Sequence, residues 1–240
     1  MPFGASRAGL MSVAADDIPD SVVSHYDATK DDRETGSISS IPDRQEVEDL
    51  DDGTQVTLVS DGINGNSSYE SNGVDNYLIY DPTETVGPPT TVIGIVEPFA
   101  STDDRDMFFD RGGGGLIEEN GGWEYFASED THMFDSGPNQ GELRAELEVG
   151  LSNTPNAFVL EILSDSISLE IRTASETFAD SVSSASQNGF GDMAVDVFRD
   201  ERDIRYFEGY TGELAIADSN FDSELDNWLT NNLFPKWGIE

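Results

Sequence analysis

The chain has 240 residues, 36% of them hydrophobic and 10% aromatic, which is enough apolar material for the core of one domain. It contains no cysteine, which excludes disulfides, thiolate metal sites and thiol catalysis. It also contains no stretch of ~20 consecutive apolar residues, the length that a membrane-spanning helix needs. Its 49 acidic residues against 12 basic ones give a net charge of −37, which excludes a surface for binding nucleic acid.

The acidic residues are spread along the whole chain rather than concentrated in a tail. At low ionic strength such a surface repels itself and destabilises the compact state. At molar salt the Debye length falls to ~3 Å, so the repulsion is largely screened. The charge therefore predicts a protein adapted to a hypersaline environment. An acidic decoy or a binder of basic partners would more often concentrate its acids.

The first twenty residues differ in composition from the rest, with no acid before Asp16. They carry one base, Arg7, and three apolar positions flanked by small residues, Phe3, Leu10 and Met11. They lack the continuous apolar stretch of a secretory signal. A frayed terminus is one interpretation; the other is an anchoring arm that becomes ordered against a partner subunit. We predict an assembly arm over 1–20, followed by one domain over 21–240.

The first hundred residues contain several short strand patterns separated by turn residues. The predicted strands are 22–28, 55–59, 77–79 and 90–99. The last of these is almost continuously β-branched, which predicts a central strand buried on both faces. The polar segment 29–53 is predicted to be a long surface loop.

Three turn-forming dipeptides lie between residues 60 and 80. They are Asp61-Gly62, Asn64-Gly65 and Asn72-Gly73, in which Gly and Asn tolerate a positive φ. Asp61, Asn64 and Asp75 offer hard oxygen donors in this segment, which makes them candidate calcium ligands. Scattered, solvated side chains are the alternative interpretation. No other cofactor is predicted.

The middle of the chain alternates short apolar runs with glycine-rich loops at 112–115 and 121–122. Trp123 and Tyr125 share one side of a short predicted strand among these loops. Such an aromatic pair can stack on a sugar ring, and aromatic strand residues can equally belong to the core; both interpretations stay open. No Lys-Ser/Thr follows the glycine run, which excludes a phosphate-binding P-loop.

Further strands are predicted in the second half of the chain. They are 143–149, 158–163, 167–172, 193–198, 204–207 and 214–217. The last lies within 211–218, where polar and apolar residues alternate as in a strand with one buried face.

One helix is predicted after the last strand. Apolar residues at i, i+3, i+4 and i+8 from Leu225 form one apolar stripe over roughly three turns. Ser223 is the predicted N-cap, and Pro235 is predicted to end the helix.

Several segments together resemble the concanavalin A-like lectin/glucanase family of jelly-roll domains, in its laminin-G-like form. The matching segments are Tyr26-Asp27-Ala28, Ile41-Pro42-Asp43-Arg44-Gln45, Ile63-Asn64-Gly65-Asn66, Asn72-Gly73-Val74-Asp75-Asn76-Tyr77-Leu78 and the closing stretch from Gly209 to Lys236-Trp237-Gly238-Ile239. The resemblance implies an all-β, two-sheet antiparallel jelly-roll sandwich with one short C-terminal helix. Its motifs are structural rather than catalytic.

The glucanase branch of that family uses a Glu-x-Asp-x-x-Glu strand, whose carboxylates point into one cleft. Only Glu201-x-Asp203 and Glu224-x-Asp226 begin this pattern, and neither has an acid at its sixth position. No catalytic residue is therefore predicted. The two histidines, His25 and His132, lack the spacing of metal ligands and are interpreted as strand or surface residues.

The resemblance and the acidic coat together predict a structural protein of a virus that infects a halophilic archaeon. It would be a capsid turret or decoration, or a tail-associated subunit, at the virion surface. Lysis releases a virion protein already assembled, so no secretion signal is needed. The arm would bind other virion proteins, the subunit is expected to form a homo-oligomer, and the jelly roll would contact host-surface glycans. A non-viral halophilic carbohydrate-binding module and a divergent glycoside hydrolase are the alternatives.

Overall fold

The computed structural model describes residues 18–81, 86–99, 106–111, 121–126, 131–136, 144–183, 195–199 and 206–239. Fifteen strands account for about half of this part. They are β1 (Val22–Asp27), β2 (Gly36–Ile38), β3 (Val56–Val59), β4 (Ser68–Asn72), β5 (Leu78–Tyr80), β6 (Thr90–Pro98), β7 (Asp106–Arg111), β8 (Gly121–Phe126), β9 (Thr131–Ser136), β10 (Arg144–Glu148), β11 (Asn156–Ile162), β12 (Ser166–Arg172), β13 (Thr177–Ser183), β14 (Val195–Val197) and β15 (Glu208–Ala217).

The strands form two antiparallel sheets. The larger has nine strands in the order β13-β12-β11-β6-β15-β4-β3-β2, with β1 also paired to β15. The smaller has six strands in the order β10-β9-β8-β7-β14-β5. A hydrogen bond of 3.2 Å between the hydroxyls of Ser24 on β1 and Tyr80 on β5 joins the two sheets across the core. The predicted all-β, two-sheet antiparallel architecture is confirmed.

The prediction for β6 is confirmed, because this strand lies between β11 and β15 and is buried on both faces. Packing explains why this strand contains a glycine, Gly94. A Cβ at this position would lie 2.1 Å from the ring of Phe158 on β11. The absence of a side chain at Gly94 therefore makes room for the ring of Phe158 over the middle of the sheet.

Strand β15 organises the larger sheet. One edge of β15 pairs with β6. On the other edge, β4 pairs with residues 208–211 and β1 pairs with residues 213–217. The register shifts between these two halves at Gly212, against which the ring of Trp237 packs. The prediction of one buried face was wrong, since the C-terminal helix covers the second face. As a consequence the polar residues Thr211 and Glu213 are buried.

The segment 29–53 is not simply a surface loop, as the sequence predicted. It contains β2, and its residues Ile41 and Leu50 bridge to each other and are buried. Asp43 fixes it to β1. One carboxylate oxygen accepts the backbone N–H of His25 at 2.8 Å, and the same side chain also accepts three N–H groups of its own loop, those of Gln45, Val47 and Glu48.

The C-terminal helix is confirmed, with both ends corrected. It comprises α1 (Ser223–Trp228), a π-helical turn (Leu229–Leu233) and α2 (Phe234–Trp237). Asp222, rather than Ser223, is the N-cap and accepts two backbone N–H groups. Pro235 lies in the first turn of α2, directly after the π-helical turn, and does not end the helix. The helix ends instead at Gly238, which has a φ of 66°. Within the described ranges, no helix is long and apolar enough to span a membrane.

Candidate functional site

An open groove of about 540 Å³ lies where four separate segments meet. These are the β3–β4 connection, the β10–β11 connection, the β12–β13 turn with the start of β13, and residues 238–239. We call it the C-terminal groove. Its described lining residues are Asn64, Val149, Gly150, Leu151, Thr154, Pro155, Thr173, Ala174, Ser175, Glu176, Phe178, Gly238 and Ile239.

Two asparagine side chains hold the C-terminal wall of the groove. The Asn64 amide donates a hydrogen bond to the carbonyl of Trp237, and the Asn66 amide donates to that of Lys236 at 2.9 Å. Gly238 follows in a left-handed conformation, where a Cβ would lie 2.7 Å from the Asn64 amide. Two segments of the family resemblance, the asparagine turn and the closing stretch, therefore meet here. Their role at this position is to fix the backbone.

The opposite walls are also held by hydrogen bonds. Across the β12–β13 turn, the backbone N–H of Thr173 donates to the carbonyl of Glu176 at 2.9 Å, and the Thr173 hydroxyl accepts the Glu176 N–H at 3.2 Å. In the β10–β11 connection, the N–H of Asn153 donates to the carbonyl of Pro98 at 2.7 Å. The groove is thus formed before any ligand binds, as ligand sites usually are.

The groove combines an apolar floor with a polar rim. Phe178 is half-buried, and Leu151 and Ile239 are buried beneath it. Exposed hydroxyl, amide and carboxylate groups of the rim come from Asn64, Thr154, Ser175 and Glu176. One of the thirteen lining residues is charged, whereas a quarter of the whole chain is. This arrangement suits an uncharged ligand with an apolar face and several hydroxyl groups.

A buried charged cluster lies directly behind the C-terminal wall. Glu213 receives hydrogen bonds from the Lys236 ammonium at 2.7 Å and the Trp237 indole N–H at 2.8 Å. Its other oxygen lies 2.5 Å from Nε2 of His25, and Lys236 also contacts Asp27 at 2.7 Å. Glu213 and His25 are each 2% exposed. None of these residues lines the groove, so the cluster acts by anchoring the end of the helix.

The pKa values of this cluster reflect its pairing. Burial alone would raise the pKa of Glu213, but the hydrogen bond from His25 and the charge of Lys236 outweigh burial and hold it below its ordinary value of 4.5. Burial alone would lower the pKa of Lys236, but the negative charges of Glu213 and Asp27 raise it above its ordinary value of 10.5. Both groups are therefore charged near neutral pH.

The cluster predicts a specific dependence on pH. We expect the difference in unfolding free energy between the protein and its Glu213→Gln variant to shrink as the pH falls below 4.5. A carboxylate with a lowered pKa stabilises the fold fully above its ordinary pKa and loses this contribution as the pH falls through the folded value. Urea denaturation at constant molar salt measures the difference. A difference in unfolding free energy that stays constant down to about pH 2 would contradict the lowered pKa of Glu213.

The candidate calcium ligands lie on two different connections. Asp61 and Asn64 belong to the β3–β4 connection, and Asp75 belongs to the β4–β5 connection. The Asn64 amide is bonded to Trp237, and the Asp75 carboxylate accepts from the Asn72 amide at 2.8 Å. The described residues contain no group of three or more His, Asp or Glu side chains that could hold a metal ion. Calcium binding at these residues stays a prediction.

The aromatic pair Trp123 and Tyr125 lies on β8 in the smaller sheet, at positions that share one face. On β9 their cross-strand partners are Phe134 and His132. The predicted strand is confirmed by its backbone. Their side chains lie outside the described part of the chain, so their contact with glycans stays a prediction.

The arm residues and the two incomplete glucanase motifs remain to be placed. The arm residues Phe3, Arg7, Leu10 and Met11 lie outside the described residues, as do Glu201 and Asp203. Glu224 and Asp226 are described, and they lie on the helix α1 rather than on a strand. A helix cannot point alternate residues into one cleft as a strand does, so this pair does not form a glucanase-type site.

The rim residues of the C-terminal groove were missed by the sequence analysis. Ser175 and Glu176 lie in a polar stretch that follows a predicted strand, which could have been recognised as a turn. Thr154 lies in a similar polar stretch before β11. Nothing in the sequence indicates that these two turns meet the C-terminus, because that depends on the order of strands in the larger sheet.

The sequence matches no family model and no curated protein. Solved structures, however, share its fold. Trypanosoma rangeli sialidase aligns at a TM-score of 0.62 and 11% identity, over 88% of this chain and 33% of the sialidase chain. The binding domain of botulinum neurotoxin serotype D aligns at 0.64 and 10% identity, over 90% and 51% of the two chains.

A third similar structure is domain 4 of AbnA, a GH43 extracellular arabinanase from Geobacillus stearothermophilus, in complex with arabinotriose. It aligns at a TM-score of 0.58 and 12% identity, over 83% of this chain and 93% of that domain. The present chain thus spans about a third of the sialidase chain, half of the toxin chain and nearly all of the arabinanase domain. At these identities the likeness concerns the fold, and the fold is that of a lectin-like β-sandwich.

Proposed function

We propose that this protein is a non-enzymatic, lectin-like protein that binds glycans. The observation that carries the proposal is the preformed C-terminal groove, whose floor is apolar and whose rim offers amide and hydroxyl groups. Sugars present both apolar C–H faces and hydroxyl groups, so they match such a lining. The arabinanase domain of the same fold, which was solved with arabinotriose, adds support.

The same groove argues for binding rather than turnover. Hydrolysis of a glycoside uses two carboxyl groups about 5–5.5 Å or about 6.5–9.5 Å apart. Among the described lining residues, Glu176 is the one carboxylate. A divergent glycoside hydrolase remains the second candidate, on the ground that sialidase and GH43 chains share the fold. Release of reducing sugar from a polysaccharide, abolished by a single carboxylate substitution, would establish that candidate instead.

The biological setting is also a proposal. The acidic coat spread over the chain, with its net charge of −37, supports a hypersaline environment. The family resemblance and the acid-poor residues 1–20 support a surface subunit of a virus of a halophilic archaeon, anchored to other virion proteins by its arm. Mass spectrometry of purified particles tests this setting. Absence from particles, with abundance in uninfected cells, would favour a non-viral carbohydrate-binding module.

Blocking the groove should abolish binding. We expect Ser175→Trp to lose glycan binding at least about tenfold, because Ser175 is exposed at the tip of the β12–β13 turn and a large ring there fills the groove. A glycan array in molar salt identifies the ligand, and calorimetry with that ligand measures the loss. The matched control is Ser164→Trp, on the exposed turn at the other end of β12, which should bind normally.

The same experiment locates the site. If Ser175→Trp binds normally while Trp123→Ala loses binding, the site lies on the smaller sheet and the C-terminal groove is not the glycan site. If no glycan on the array binds the folded protein, the glycan-binding function itself is wrong.

A further inference from the structure

The described lining of the C-terminal groove is neutral apart from one carboxylate. Its described lining residues include no Lys, Arg or His, and they include the exposed carboxylate of Glu176. Proteins usually bind a carboxylate through charge-assisted hydrogen bonds from Arg or Lys, which offset the loss of its hydration. A sugar that carries a carboxylate would enter this groove without such a partner.

Three of the described basic side chains outside the groove are paired with carboxylates of the same chain. The ion pairs are Arg33 with Asp31, Arg172 with Glu170 and Asp226, and Lys236 with Asp27 and Glu213. The guanidinium of Arg199 stacks on the ring of Tyr77 at 3.2 Å. With 12 basic residues against 49 acidic ones, the chain has few cations to offer a ligand.

We propose that the C-terminal groove selects uncharged oligosaccharides and discriminates against glycans that differ only by carrying a carboxylate. This proposal rests on the glycan-binding function proposed above and specifies its ligand class. Sialylated and uronic-acid glycans are therefore poor ligands, although a botulinum neurotoxin binding domain of similar fold was solved in complex with SialylT.

Neutral hydrogen-bonding groups supply the recognition. Asn64 uses one amide N–H for the carbonyl of Trp237, which leaves its second N–H and its oxygen for a ligand. Ser175 and Thr154 add hydroxyl groups that both donate and accept. Phe178 supplies an apolar surface on which the C–H face of a sugar ring can lie.

Electrostatic repulsion supplies the discrimination. At about 0.15 M salt the Debye length is about 8 Å, so Glu176 and a carboxylate in the same groove repel each other with little screening. At about 1 M it is about 3 Å. We expect the neutral member of a matched pair to bind about tenfold more tightly at the lowest salt at which the protein stays folded, and the difference in affinity to narrow as salt is added.

The test uses the full chain on an array of matched glycan pairs. The members of each pair differ only in the carboxylate, either by oxidation of a hexose to its uronic acid or by methyl esterification of a sialic acid, as 3′-sialyllactose and its methyl ester do. Affinities are then measured at molar salt and at the lowest salt at which circular dichroism still shows the folded protein. The expected result is tighter binding of the neutral member in every bound pair, with a gap that grows as the salt falls.

Two variants separate the charge effect from a general loss of binding. Glu176→Gln should narrow the gap while leaving the fold intact, and Glu176→Lys should narrow it further or reverse it. Asp165→Asn removes the same charge at the far end of β12 and should leave the gap unchanged. Equal or tighter binding of the acidic member by the unaltered protein would overturn the proposed selectivity. Failure of every glycan to bind would overturn the glycan-binding function instead.

Discussion

Replacing Glu213 by alanine will lower the free energy of unfolding by about 3–5 kcal/mol. The carboxylate is 2% exposed and accepts from His25, Lys236 and Trp237. Without it, the indole N–H loses its acceptor and Lys236 keeps Asp27 as its one remaining carboxylate partner in the cluster. Removing one member of a buried charged network costs more than the network itself contributes, because the remaining groups stay buried without compensation. Urea denaturation in molar salt measures the change.

The matched control for this substitution is Glu170→Ala. Glu170 also accepts from a basic side chain, Arg172, but its side chain is 22% exposed. An ion pair that water can reach contributes about 0–1 kcal/mol. The two variants remove the same group from an ion pair on the larger sheet, so the difference between them measures the combined effect of burial and of the additional donors to Glu213. If Glu213→Ala proved as stable as Glu170→Ala, the cluster would not anchor the C-terminus.

The cluster also connects stability with binding. Glu213 holds Lys236 and Trp237, and the carbonyls of these two residues accept the asparagine amides that form the C-terminal wall of the groove. Strand β15, the C-terminal helix and the C-terminal wall of the groove are therefore linked by one continuous set of hydrogen bonds. This arrangement explains why a charged residue can be tolerated among the buried residues of β15.

Glu213 also shows where sequence reasoning reached its limit. Alternation in 211–218 correctly predicts a strand, but it predicts that Glu213 faces solvent. The helix that covers this face comes later in the chain, and neither segment reveals by itself that they pack together. Likewise β4, with the sequence Ser-Tyr-Glu-Ser-Asn, has too little apolar character to be predicted as a strand, and it forms because β3 and β15 flank it.

Some elements were predictable because their local pattern and their final environment agree. The β-branched run of β6 matches burial on both faces, and the apolar stripe from Leu225 matches the buried face of the helix. The family resemblance also identified the two segments that meet at the C-terminal wall. It did not identify the rim residues Ser175 and Glu176, because the turn that carries them is not part of any matching segment.

Lowering the salt concentration to about 0.1 M will unfold the isolated protein or lower its thermal midpoint sharply. The net charge of −37 is distributed along the whole chain, and the Debye length rises from about 3 Å at 1 M to about 10 Å at 0.1 M. Neighbouring carboxylates that are screened at high salt then repel one another, and this repulsion favours the expanded state. Thermal unfolding followed by circular dichroism, over a series of NaCl concentrations, measures the effect.

Two mechanisms could produce such a salt dependence, and a charge variant separates them. Salt can screen the carboxylates, or it can strengthen apolar burial by being excluded from the protein surface. The triple variant Asp81→Asn, Asp165→Asn and Asp218→Asn removes three exposed negative charges without touching the core. If screening dominates, this variant will stay folded at lower salt than the parent protein, because less repulsion has to be screened. An unchanged salt requirement would assign the effect to apolar burial, and an equally high midpoint at 0.1 M and 1 M would refute the prediction of adaptation to salt.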